Sequence, residues 1–107
     1  MSRPSPSRPH GRHLLAALAF AVLPAAQAAD MMNGQKIYAM HCAACHGRTG
    51  VPVMPNAPAF ARGERLMQPD VMLLASIRAG RSAMPGFAGL LSDREILDVV
   101  SFLRTLQ

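Results

Sequence analysis

The sequence of 107 residues contains no tryptophan, one tyrosine, four phenylalanines and two cysteines, and almost none of it reads as strand. Each scarcity removes a class of protein. Without a run that reads as a parallel strand, a thioredoxin-like dithiol lacks its βαβ setting. Without a run of cations there is no phosphate-tracking groove, and no nucleic-acid partner is expected. The longest apolar run, Leu14 to Leu23, falls well short of the ~20 residues a helix needs to cross a bilayer. No twin-arginine pair occurs near the N-terminus. After residue 28 the aromatics are Tyr38, Phe60, Phe87 and Phe102, enough for one small cluster.

The N-terminus has the order of an export signal. Arg3, Arg8 and Arg12 stand in a segment with no acid, the apolar run follows, and then Pro24 and "AAQAAD", with small residues at Ala26 and Ala28. We expect residues 1–28 to be a secretory signal peptide cleaved after Ala28, with export by the general secretory route. Residues 29–107 then form one domain, with no membrane attachment after cleavage. The formal charge of +5 includes the three leader arginines; residues 29–107 have eight Lys and Arg against six Asp and Glu, or +2. A domain of 79 residues has little net stability from its own core and needs a staple, such as a metal, a disulfide or a cofactor.

The pattern of that domain is helical. Asn33 is a candidate N-cap for a first helix through "GQKIYAMHCAACH", with Ile37, Met40 and Ala44 on one face and Gly34, Tyr38 and Cys42 on a neighbouring one. Residues 47–59 read as a loop. Pro69 suits the first turn of a middle helix through "DVMLLASIRA", with Leu73, Leu74 and Ile77 on one side and Gly80 as its stop. "SAMPGFAG" is a second loop. Ser92 and Glu95 form a capping-box pair ahead of the stripe Ile96, Val99, Val100, Leu103 and Leu106.

Both cysteines lie in "AMHCAACHGRTG", as Cys42 and Cys45 followed by His46. A zinc ion wants four Cys or His ligands, and His41, Cys42, Cys45 and His46 crowd into six positions of one helix, where neighbours point apart. A Cys42–Cys45 disulfide would close a tiny loop, stabilise little and leave His46 without a role. Covalent haem attachment uses all three residues: each thiol adds across one vinyl group, and the next histidine is carried under the ring to bind iron.

The spacing Gly34, Tyr38, Cys42, Cys45, His46 resembles the G-x-x-x-[FY]-x-x-x-C-x-x-C-H pattern of small bacterial class I cytochromes c, and the resemblance covers residues 33–106. It implies an all-α fold, three or more helices around one covalent haem c, with the first and last helices crossing at the glycine and Val99, Phe102 and Leu103 forming the last-helix half of that contact. Of the loop methionines, Met54 and Met84 each precede a proline. Met84 lies between the middle and last helices, where this family places its second axial ligand, and Met54 is the alternative. Pro58, with Pro55 as the alternative, is similar to the proline whose carbonyl orients the ligand histidine.

Iron held by the porphyrin, His46 and Met84 has no place for a substrate, so the resemblance implies a monomeric periplasmic carrier of single electrons rather than an enzyme. Its partners would be redox proteins docking at the loops around the haem, with Arg78 and Arg81 able to steer an acidic one. "PAFARGERL", "LLASIRAGRSAMPGF" and "LSDREILDVVSFLRTL" are similar to cytochromes associated with nitrite reductases of denitrifying bacteria, which implies a haem-containing nitrite reductase, or maturation of its cofactor. The alternative is a haem c ligand sensor or enzyme in which the sixth position is open or Met84 is displaced.

Overall fold

The computed structural model describes residues 1–9, 11, 14–23 and 28–107; Arg12, Pro24 and Ala26 of the expected leader lie outside them. Leader residues that are described carry no helix or strand, and Leu14, Leu15 and Phe20 pack against nothing. No helix among the described residues is long and apolar enough to cross a membrane.

Four α-helices follow: α1 (Met31–His41), α2 (Ala43–His46), α3 (Asp70–Ala79) and α4 (Asp93–Leu103), with a 3-10 turn at Phe60–Arg62 that local patterning did not mark. Among the described residues the only β-type pairings are two isolated bridges, so the expected all-α class is found. Helix α1 begins two residues before Asn33. Asp30 is its cap, accepting from the Asn33 N–H at 3.0 Å, while the Asn33 side chain donates to Asp98 Oδ2 at 2.9 Å. Of its two neighbouring faces, the buried residues are Gly34, Ile37 and Tyr38, whereas Met40 is 70% exposed. Pro69 caps α3 from just outside instead of sitting in its first turn, and Gly80 ends that helix as expected.

Helix α4 follows its sequence closely. The Glu95 N–H donates to Ser92 Oγ at 3.1 Å and the Ser92 N–H to Glu95 Oε2 at 2.8 Å, closing the capping box. Ile96, Val99, Val100 and Leu103 are buried, and Leu106 packs against them from beyond the helix end. At the crossing of α1 and α4 the two backbones touch: a Cβ on Gly34 would overlap the Asp98 carbonyl, and Tyr38 meets Phe102 with ring centroids 5.2 Å apart. Asp98 is buried against the start of α1, where its Oδ1 accepts from the Asp30 N–H at 2.7 Å. Arg104 ties the chain end to α3 by donating to the carbonyls of Leu66 (2.5 Å) and Gln68 (2.9 Å) and to Asp70.

The expected aromatic cluster does not form. Tyr38 pairs with Phe102, Phe60 stacks on His46, and Phe87 lies edge-on to His41. Phe60 and Phe87 line a cavity, whereas Tyr38 and Phe102 meet away from it, at the crossing of α1 and α4.

Candidate haem site

The cavity measures about 510 Å³ and lies between α1, α2, α3 and the two loops rich in proline and glycine. Its size is that of a cofactor pocket, ~300–1,000 Å³. Cys42, Cys45, His46, Met54 and Met84 all line it, so the structure brings together every expected site residue and both candidate methionines.

The attachment turn owes its shape to a break in the helix. Cys42 leaves helical geometry at φ −120°, its N–H still donating to Tyr38 O, and the chain resumes as the single turn Ala43–His46. The two cysteines are not bonded to each other. Burial, and then the charge of Cys45, push the Cys42 thiol up to about 11. A redox-active dithiol needs a low-pKa attacking thiol, so the environment of Cys42 argues against that chemistry.

His46 is 8% exposed, and its Nδ1 is the buried side-chain polar atom among the described residues that has no hydrogen-bond partner. Burial lowers the imidazole pKa, and the nearby Pro58 carbonyl raises it in part without reaching full hydrogen-bond geometry. The outcome is a neutral imidazole, the form that binds metal. Phe60 stacks on the ring at 4.6 Å and 21°, fixing its plane. The turn that carries Phe60 is bracketed by Glu64, whose carboxylate accepts from the Ala59 N–H (2.7 Å) and from Arg62 (2.7 Å), contacts that also lower its own pKa. The sequence offered no local sign of this support beyond the aromatic ring itself.

Tyr38 fastens the other end of the turn, its hydroxyl donating to Gly47 O at 2.6 Å. The phenol is 2% exposed, and burial, followed by the charge of Cys42, raises its pKa from 10.0 to about 12. Between those values the unfolded chain has lost a proton that the folded chain keeps. This contribution to stability is therefore full below pH 10 and is lost as pH rises toward about 12. Tyr38→Phe should lower stability by about 1–2 kcal/mol at neutral pH, since Gly47 O loses its donor, and should flatten the alkaline decline. Urea midpoints measured from pH 8 to pH 11.5 check both; the same decline in both proteins would assign it to other groups.

The polar lining contains His41, Arg65 and Arg81 and no carboxylate. Arg65 and Arg81 have no acidic partner among the described residues. Arg78, expected to act with Arg81 as a steering pair, is instead bound to Asp93 at 2.5 Å. A large apolar cavity with two thiols, a neutral buried imidazole, thioethers and free guanidinium groups suits a haem, whose body is apolar and whose propionates are anionic.

This fold and this site define a class. Residues 29–103 match the family described as "Cytochrome C oxidase, cbb3-type, subunit III". The chain belongs to that family and, with it, to the small class I c-type cytochromes carrying one covalent haem c. Its relatives include cytochrome c6 of Thermosynechococcus vestitus, 38% identical over 81% of this chain and 80% of that protein, and cytochrome c6 of Porphyra purpurea, 30% identical over 84% and 86%. Among solved structures it is similar to the KustC0563 c-type cytochrome (TM-score 0.64, 29% identity, 69% of this chain and 96% of that one). It is also similar to cytochrome c6 of the diatom Phaeodactylum tricornutum (TM-score 0.54, 30% identity, 71% and 92%). The protein is a monohaem c-type cytochrome, an electron carrier like cytochrome c6.

Proposed function

We propose that this cytochrome works in the periplasm, with Cys42 and Cys45 as the two thioether attachments and His46 and Met84 as the axial ligands of the iron. The observation that carries the reading is the single cavity that gathers all four side chains. Haem bound there supplies a one-electron Fe(III)/Fe(II) couple, and a methionine ligand favours the ferrous state. The chain holds the His46 plane with Phe60, keeps the imidazole neutral by burial, and excludes water with Leu73, Ile77 and Phe87. Met84 is favoured over Met54 because Val53 and Met54 both donate their N–H groups to Cys45 O, at 2.9 and 3.0 Å, fastening Met54 to the attachment turn itself. Met84 belongs to the separate loop between α3 and α4.

The partner we propose is a haem-containing nitrite reductase, supported by the likeness of the segments around residues 58–66, 73–87 and 91–106 to cytochromes that accompany that enzyme. Stopped-flow mixing of the reduced protein with such a reductase should oxidise it in the presence of nitrite. No nitrite-dependent oxidation would remove this partner and leave a general carrier. Rapid carbon monoxide binding by the native ferrous protein would instead favour the ligand sensor or enzyme.

Export rests on the leader pattern and on the lack of packing for its apolar run. Mass spectrometry of periplasmic material should find a protein beginning at Ala29. A mass retaining residues 1–28 would make a membrane anchor the better reading.

A further inference from the structure

We propose that Gly80 is the positioning residue for Met84: it turns the chain out of α3 into a closed loop that presents the Met84 side chain to the cavity. The proposal rests on Met84 as an axial ligand and explains how a loop of flexible appearance can hold one.

The loop begins and ends at one place. Its return strand is stitched to the last turn of α3, where Phe87 N–H donates to Ile77 O at 3.0 Å and Ala88 N–H to Arg78 O at 3.1 Å, using carbonyls that a helix end leaves free. Phe87 is 5% exposed and anchors that end in the interior. Between the ends, Arg81 and Met84 exchange both backbone hydrogen bonds at 2.9 Å, a tight hairpin with Ser82 at its tip in the left-handed region, φ 52°. Both backbone polar groups of Met84 are thereby used, so the residue cannot turn without breaking the hairpin.

Gly80 makes this closure possible in two ways. Its φ of 75° and ψ of 173° belong to a region open essentially to glycine alone. A Cβ there would also stand 2.5 Å from Gly86 N and 2.8 Å from Met84 O, backbone atoms of the loop it would have to displace. Gly89 supplies the internal comparison: its φ is also positive, 84°, but a Cβ on it would meet nothing within 4 Å.

The test compares haem-loaded Gly80→Ala, Gly89→Ala, Ser82→Gly and Ser82→Pro with Met84→Ala and the native protein. The readouts are the sulfur-to-iron charge-transfer band, the reduction potential and the rate of cyanide binding to the oxidised protein. Gly80→Ala should keep its covalent haem, lose most of the band and bind cyanide faster by on the order of tenfold or more, since the displaced loop is open far more often. Gly89→Ala and Ser82→Gly should match the native protein, and Ser82→Pro, which cannot adopt positive φ, should follow Gly80→Ala. A native band and cyanide rate in Gly80→Ala, or equal losses in Gly89→Ala, would overturn the proposal while Met84→Ala still reports the ligand. Should Gly80→Ala yield no haem protein, the exposed tip decides: loss of the band in Ser82→Pro supports the closed loop, and its retention sinks it. Retention of the band in Met84→Ala removes the ligand reading and the proposal with it.

Discussion

Met84→Ala should retain its covalent haem and lose the sulfur-to-iron charge-transfer band of the oxidised protein. The attachment residues Cys42, Cys45 and His46 are untouched by the change, so the haem yield stays near native. Loss of a thioether ligand withdraws the preference for the ferrous state, and the reduction potential should fall by on the order of a tenth of a volt or more, within the ~0.8 V span that axial ligands set. The ferrous variant should then bind carbon monoxide, and the native ferrous protein should not. Met54→Ala should leave spectrum, potential and carbon monoxide resistance as they are, although Met54 lines the same cavity. The reverse pattern, with Met54→Ala altering the spectrum and Met84→Ala silent, would transfer the ligand role to the loop fastened at Cys45. If neither change mattered, the sixth position would be open.

Replacing Cys42 and Cys45 together by serine should do more, because it removes the cofactor from the interior. Haem of the native protein should survive acidic acetone, and any haem that the double variant retains should be extracted completely; Cys42→Ser or Cys45→Ser alone should leave at most one thioether and much less protein. The physical reason lies in the cavity. Without haem the apolar side chains around its ~510 Å³ lose the group they pack against and face water. The whole folding stability of a small domain is only ~5–15 kcal/mol. Far-UV circular dichroism should therefore show the haem-free double variant without its native helices. A haem-free protein with native helicity and a cooperative urea transition would contradict this, and would mean that the contact of α1 with α4 is sufficient by itself.

That contact shows where reading the sequence works and where it stops. The C-x-x-C-H turn, the Ser92–Glu95 box and the stripe on α4 were legible because each is a relation between residues close together in the chain, which spacing alone reveals. The length of residues 29–107 and their poverty in aromatics likewise pointed to a missing interior, and the cavity stands where that interior was wanted. The start of α1 was misplaced because Asp30 and Asn33 are both cap-type residues, and the choice between them is made by Asp98, 68 positions from Asp30, which accepts from the Asp30 N–H and draws the Asn33 side chain to itself. Asp98 itself sits two residues from Ile96, off the apolar stripe, and nothing local marks it as buried.

Other features belong to the tertiary structure for the same reason. The four aromatics were visible, but their pairing was not: Tyr38 meets Phe102 where α1 crosses α4, and Phe60 and Phe87 meet His46 and His41 where the loops close around the cavity. Arg78 and Arg81 looked alike in the sequence, and only packing gave one of them to Asp93 and left the other at the cavity wall. Gly80 was legible as a helix stop; its approach to Gly86 and Met84 was not. The chain's own sequence determined which chemistry it carries and which helices form, since helix hydrogen bonds and the attachment motif span a few residues. The crossing at Gly34, the stack on His46 and the placement of Met84 were decided by contacts between distant segments, whose free energy appears only when the whole domain packs around the haem site.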